Sequence, residues 1–285
     1  MQFADPKNDL AFKKIFKDER HKEILISFLN AILNFQDGRV IAEVSLIDPY
    51  QVLKIPELKE TILDIQATNK SGESFIIEIQ KKDLDDFTKR SFYYTSKAYA
   101  PQLSRENDYS ELKKVYFIGI LNFNMFTNES YVSRHLIASQ ETNTQELDDF
   151  EFTFIELSKF TKELEALYSI LDKWVYFLKN AEDLTMIPIQ YQDMQEFKEA
   201  FAIATQATWD EHELEVYDYM KLKEFDAINA LRTAERKGFK KGFEEGKAQI
   251  SIAKNLLDIL DDETIAKKTG LSVDTVNNLR IKIES

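Results

Sequence analysis

Apolar residues recur at three- and four-residue spacing twice near the start of the chain. Leu10, Phe12, Ile15 and Phe16 form one set, and Ile24, Leu25, Phe28, Leu29 and Leu33 form the next. That period puts one face of a helix against a core, so it predicts helices over 8–16 and 22–33, the first capped by Asn8 or Asp9. The period then shortens. Residues 40–47 alternate loosely, and 60–67 and 74–80 read as strands joined by the turn-rich stretch Thr68 to Glu73, which makes a hairpin. A helical pattern over 83–103 ends near Pro101. The run KVYFIGILN at 114–122 is nearly all apolar, the signature of a strand covered on both faces. Strands are expected again over 131–138 and 150–157. From Lys159 onward the pattern is helical: 164–179, 193–208 and a long stretch over 211–260.

The pattern predicts an α/β half followed by a helical half. In finer division, 1–157 is an α/β core, 158–235 a helical extension, and 236–285 a Gly-spaced helix with a helix-turn-helix-like tail.

Composition narrows the chemistry. Of 285 residues, 44% are hydrophobic and 12% aromatic, enough for a packed core. There is no Cys, and the three His (His21, His135, His212) lie far apart. A disulfide scaffold, a thiolate zinc site, an iron–sulfur cluster and a cysteine nucleophile are thereby excluded. The longest largely apolar stretch, 115–126, is too short for a bilayer and carries Asn122 and Asn124. The first residues have no basic and apolar leader. The expectation is a cytoplasmic protein with no membrane partner. A net charge of −13 speaks at first against a nucleic-acid partner. The excess acid is local, however. Residues 126–230 hold 22 acidic and 8 basic side chains, whereas 1–125 and 231–285 are near neutral.

The most informative segment is 62–82. Asp64 sits in an otherwise apolar strand, and Glu78 is flanked by Ile77 and Ile79 on the next. Residues i and i+2 of a strand share a face, so Glu78 and Gln80 point the same way with Cα atoms roughly 7 Å apart. A turn at 69–73 brings Asp64 beside Glu78. Two readings fit this spacing. The pair can lie on the solvated face of an antiparallel hairpin. Alternatively, two like charges held together cost energy unless a cation neutralises them or one takes a proton, and hard oxygen ligands with open positions suit Mg²⁺ or Mn²⁺.

The arrangement resembles the PD-(D/E)XK nuclease superfamily, built on an Asp followed by Glu-x-Lys in a mixed sheet flanked by helices. More narrowly, a series of blocks is similar to the PD-(D/E)XK nuclease family transposases, also called recombination-promoting nucleases. The blocks are NDLAFKKIF at 8–16, LNAIL at 29–33, Asp64, IEIQ at 77–80, FTKRSFYY at 87–94, FIELSKF at 154–160, DKWVYFL at 172–178, and the Gly-spaced tail. The resemblance implies a restriction-endonuclease-like α/β core, DNA as partner, and Mg²⁺ or Mn²⁺ as cofactor. It implies metal-dependent phosphodiester hydrolysis serving recombination or transposition. Asp64 and Glu78 match the metal-binding carboxylates. Gln80 stands where the superfamily has lysine; an amide can ligate a metal or orient water but brings no charge. Lys82, four residues after Glu78, is a candidate for a displaced lysine or a solvated strand end.

On the next helix Arg90, Tyr94 and Lys97 share a face, and Arg90-x-x-x-Tyr94 is similar to the Q-x-x-x-Y element of related nucleases. These residues either meet the DNA backbone or pack and solvate a helix. Asp9 either adds a carboxylate to the site or simply opens its helix.

In the tail, Gly238, Gly242 and Gly246 at four-residue spacing suggest close packing on another helix or a weak segment. Ala266, Gly270 and Val276 have the spacing of a helix-turn-helix. Ser272 is placed to cap its second helix, and Thr275, Asn278 and Arg280 are candidate DNA readers. The same pattern suits a helical hairpin closing a bundle or a homodimer. Two rivals to the nuclease reading stand. One is a nucleic-acid-binding protein that keeps the fold without turnover, and the other is a protein-interaction module using the acidic segment 126–230.

Overall fold

The computed structural model describes residues 1–47, 63–82, 86–103 and 108–284. The first helices form where the period places them. Helix α1 (Asp9–Phe16) is capped by Asn8, whose side chain accepts from the N–H groups of Leu10 and Ala11, and α2 (Lys22–Leu33) follows. Asp9 is therefore the first helical residue and not the cap. Strand β1 (Val44–Ile47) precedes β2 (Ile65–Asn69) and β3 (Ser74–Gln80). The strand expected from residue 60 and the helix expected from residue 83 begin outside the described residues. Helix α3 (Phe87–Tyr99) yields to a short 3₁₀ turn over Ala100–Gln102 that accommodates Pro101. With strands β4 (Val115–Leu121), β5 (Val132–Ile137) and β6 (Leu147–Glu156), the described residues form a six-stranded sheet. Its order is β1-β2-β3-β4-β6-β5, parallel between β3, β4 and β6 and antiparallel at both margins. The wholly buried β4 is central, as its unbroken apolar run requires.

The β2–β3 turn depends on Gly72, whose φ of +84° a side chain would strain. Asn69 closes it, accepting through its side chain from the Glu73 N–H.

Alternation on β3 divides the core. Phe75, Ile77 and Ile79 face a large cluster with α1, α2, α4 (Ile170–Asn180) and α5 (Gln195–Ala204), centred on Phe16, Phe28, Trp174 and Phe197. Ile76 faces the other way, against Phe87, Tyr94, Phe117, Phe152 and Phe154 under α3. The sheet is thus covered on both faces, one by four helices and the other by α3. The acidic segment does not stand apart from the core: Trp174 and Phe177 of α4 are fully buried.

The start of the chain joins this unit late in sequence. Phe3 bridges Thr205, the Ala4 N–H donates to the Ala204 carbonyl at 2.7 Å, and the Gln206 N–H donates to the Gln2 carbonyl at 3.0 Å.

Gly119, at the middle of β4, is required by space. A Cβ there would lie 2.7 Å from Phe154 Cδ1 and 3.2 Å from Phe87 Cε1. Both rings are fully packed, so Gly119→Ala is expected to lose about 1–3 kcal/mol by overpacking. Urea denaturation measures it, and an unchanged midpoint would contradict this account.

The chain forms two compact units, Met1–Asp218 and Tyr219–Ser285. In the second, the distal part of the long helix α6 (Glu211–Leu256) is followed by α7 (Asp262–Thr269) and α8 (Val273–Glu284). Gly270, with φ +76°, ends α7, and Ser272 Oγ accepts from the Thr275 N–H at 3.2 Å, capping α8 as the sequence suggests. Ala253, Leu257, Ile265, Ala266 and Val276 make a small core. Arg280 differs from expectation. Instead of standing out as a DNA reader, it pairs with Asp262 at 2.7 Å and donates to the Leu257 and Leu260 carbonyls. Arg280→Ala is expected to weaken this unit by about 2 kcal/mol. Amide exchange should show faster exchange in 257–284 and no change in the sheet; equal protection throughout would refute the clamp. The glycines of α6 face open space, since a Cβ at Gly238, Gly242 or Gly246 meets nothing within 4 Å. The described residues therefore make no close helix contact there.

Candidate active site

Asp64 immediately precedes β2, and Glu78 is the third residue from the end of β3. Ile65 lies opposite Ile77, so the next step of the register sets Asp64 across from Glu78. Two bonds cross between them. The Asp64 N–H donates to Glu78 Oε1 at 3.2 Å, and the Ile79 N–H donates to Asp64 Oδ2 at 2.8 Å. Each carboxylate is thus held by the backbone of the other's strand. Neither lies on a solvated hairpin face. Glu78 is only 5% exposed, and its neighbour on β4 is Gly119, against which the Phe154 and Phe87 rings pack.

Burial sets the electrostatics. It pushes the Asp64 carboxyl up to about 7 and that of Glu78 to about 8. The Asp64 charge raises Glu78 further, and the Asp9 carboxyl raises Asp64, while the N–H groups donated by Ile79 and Asp64 oppose the rise. The protein's own cations leave this pair undercompensated.

The helix-borne candidates divide. Arg90 reaches the site and donates to Gln80 Oε1 at 3.0 Å. Gln80 Nε2 donates to the Ile79 carbonyl at 3.2 Å, so both ends of the amide are engaged. Tyr94 is buried beside Arg90 and bonded to it, and burial followed by the Glu78 charge holds its hydroxyl above the usual range. Lys97 shares the helix face but is 7% exposed, with its ammonium 5.5 Å from the Tyr93 ring centroid. An open basic stripe along α3 is therefore not formed by Lys97. Lys82 is exposed beyond the end of β3. Asp9, on α1, reaches the carboxylates: its side chain is bonded to Asp64 and pairs with Lys13 at 2.7 Å.

Lys13 is the residue that sequence reasoning missed. Its Nζ lies 3.6 Å from Asp64 Oδ1. Burial lowers its pKa, but Asp9 and Asp64 together carry it above the ordinary value. The signal was present in the i,i+4 spacing from Asp9 on α1. What spacing could not show is that α1 covers one face of the sheet at the end where α3 covers the other.

The donor set fits a hard divalent cation. Two buried carboxylates on adjacent strands offer oxygen ligands and unmatched negative charge. Among the described residues no three His, Asp or Glu side chains form a closed cage. Among the described residues, too, no helix is long and apolar enough to cross a membrane.

A family model described as PD-(D/E)XK nuclease family transposase matches residues 6–234. No curated protein and no solved structure matches the chain.

Proposed function

Because the chain belongs to the PD-(D/E)XK nuclease family transposases, we propose that it is a divalent-metal-dependent endonuclease that hydrolyses phosphodiester bonds in DNA. The observation that carries this reading is the cross-braced, buried pair Asp64 and Glu78, with both carboxyls raised toward neutrality. A solvated hairpin face would show neither the bracing nor the burial. Asp64 and Glu78 would hold Mg²⁺ or Mn²⁺. A cation bound there supplies Lewis-acid polarisation of a phosphate oxygen and acidifies a coordinated water. The chain's own groups do the rest. Gln80 fixes the Arg90 guanidinium through its Oε1, Tyr94 steadies the same guanidinium, and the remaining N–H groups of Arg90 suit a DNA phosphate. Lys82, at the exposed end of β3, adds positive charge along the approach. Recombination or transposition is the role that the family suggests, with the protein acting in the cytoplasm and a homodimer bringing two sites to one duplex.

A second reading has one observation in its favour. Gln80 carries no charge and both ends of its amide are engaged, which suits a protein that binds DNA without cutting it. Supercoiled plasmid separates the two. Nicking or linearisation with Mg²⁺ or Mn²⁺, absent in chelator, is expected. An intact plasmid under every metal, with DNA retained at low salt, would favour the second reading.

A further inference from the structure

The site holds two buried carboxylates and an uncharged Gln80, so some other group must offset the negative charge that an anionic phosphodiester brings to it. The candidates are few. Lys81 pairs with Asp5 at 3.0 Å. Lys82 is exposed past the strand end. Arg90 acts on the Glu78 side of the site, bonded to Gln80 and Tyr94, and Lys97 lies over the Tyr93 ring. Among the described residues, the ammonium in ion-pair reach of a site carboxylate is that of Lys13, 3.6 Å from Asp64 Oδ1. It is also restrained, because Asp9, one helical turn earlier, holds it at 2.7 Å. Its side chain is about seven-tenths covered, being 29% exposed, so solvent screens it less than a surface lysine. It comes from α1, whose Phe12, Ile15 and Phe16 share the main core with Ile65 and Ile77 of the hairpin.

We infer that Lys13 is the positioning cation of this site: tethered by Asp9, its ammonium orients Asp64 and supplies the fixed positive charge that Gln80 does not. This rests on the nuclease reading of Asp64 and Glu78. Lys13 makes and breaks no bond; it lowers the electrostatic penalty of gathering two carboxylates and a phosphate in one place. The assignment has an uncommon signature. A fixed ammonium beside Asp64 favours the reaction but repels a dication, so its removal should slow cleavage and tighten metal binding together. A lysine that only supported the fold would, on removal, weaken both.

The test uses the full chain as wild type, Lys13→Met and Lys13→Arg. Plasmid nicking is measured at saturating Mn²⁺, and Mn²⁺ affinity is measured by calorimetry without DNA. Lys13→Met should nick about tenfold more slowly or worse while binding Mn²⁺ several-fold more tightly, and Lys13→Arg should recover most of the rate. Nicking by Lys13→Met within about twofold of wild type would overturn the assignment. So would a parallel loss of nicking and Mn²⁺ affinity. If wild type itself nicks no DNA, the nuclease reading falls alone. Calorimetry then decides for Lys13: tighter Mn²⁺ binding by Lys13→Met upholds it, and unchanged or weaker binding overturns it.

Discussion

Asp64→Asn is expected to abolish plasmid cleavage and, in metal-free buffer above neutrality, to raise the melting temperature. The two effects have one origin. Asparagine matches aspartate in shape, and its Oδ1 can still accept the Ile79 N–H that now reaches Asp64 Oδ2 at 2.8 Å. What disappears is a charge. On the proposed reading that charge would be a metal ligand, and losing several kcal/mol of transition-state stabilisation corresponds to a rate loss on the order of a thousandfold. Without the metal, the same charge is buried beside Glu78 and near Asp9, an arrangement that costs stability once it ionises. Neutralising it should return on the order of 1 kcal/mol, a rise of about 2–4 °C for a unit of this size. A variant that cleaves like wild type would remove Asp64 from the site. A variant that loses activity and melting temperature together would point to damaged folding instead.

The second large effect is on stability against pH. The unfolded chain releases its carboxyl protons near the ordinary values of about 4, whereas the folded chain keeps those of Asp64 and Glu78 to about 7 and about 8. Between those limits the native state holds more protons than the unfolded one. Stability contributed by the protonated pair is therefore full below about pH 4 and is lost as pH rises to about 8. Asp18, held down to about 2 by the Arg20 guanidinium, titrates below this window. His135, lowered by burial, works in the opposite direction, but it is one group against two. Urea midpoints measured in chelator should fall from about pH 5 to about pH 8, and added Mn²⁺ should restore far more at the upper end. A flat profile in chelator would mean that the pair is not buried as described. An equal response to Mn²⁺ at both ends would mean that the cation binds elsewhere.

Much of this site was legible because it is built from strand alternation. Ile77-Glu78-Ile79 announces which face Glu78 takes, and the turn ending in Gly72 announces which residue it meets. Helices α1 and α2 were equally open to reading, because Leu10 to Phe16 and Ile24 to Leu33 carry one uninterrupted apolar face each. The unread part is tertiary. Periodicity states that Trp174 and Phe177 are buried, but not that they are buried against Phe16 and Phe28, so the division of the helical half from the core could not be drawn from pattern alone. Lys97 and Arg280 look like solvent-facing cations in a charged helix. One is covered beside Tyr93, and the other is turned onto the Leu257 and Leu260 carbonyls in the turn between α6 and α7. Lys13 reads as an ordinary helix lysine until the β2–β3 hairpin is placed at its tip.

The bridge between Phe3 and Thr205 sets a condition on when the site can exist. Helix α1, which brings Asp9 and Lys13, is held between the N-terminal residues and α5, and that holding is completed by bonds to Ala204 and Gln206. During synthesis the hairpin with both carboxylates emerges early, but its α1 partners cannot be locked in place until about two hundred residues have been made. A nascent chain that stops short of Ala204 thus holds both carboxylates without the bonds that fix α1 beside them.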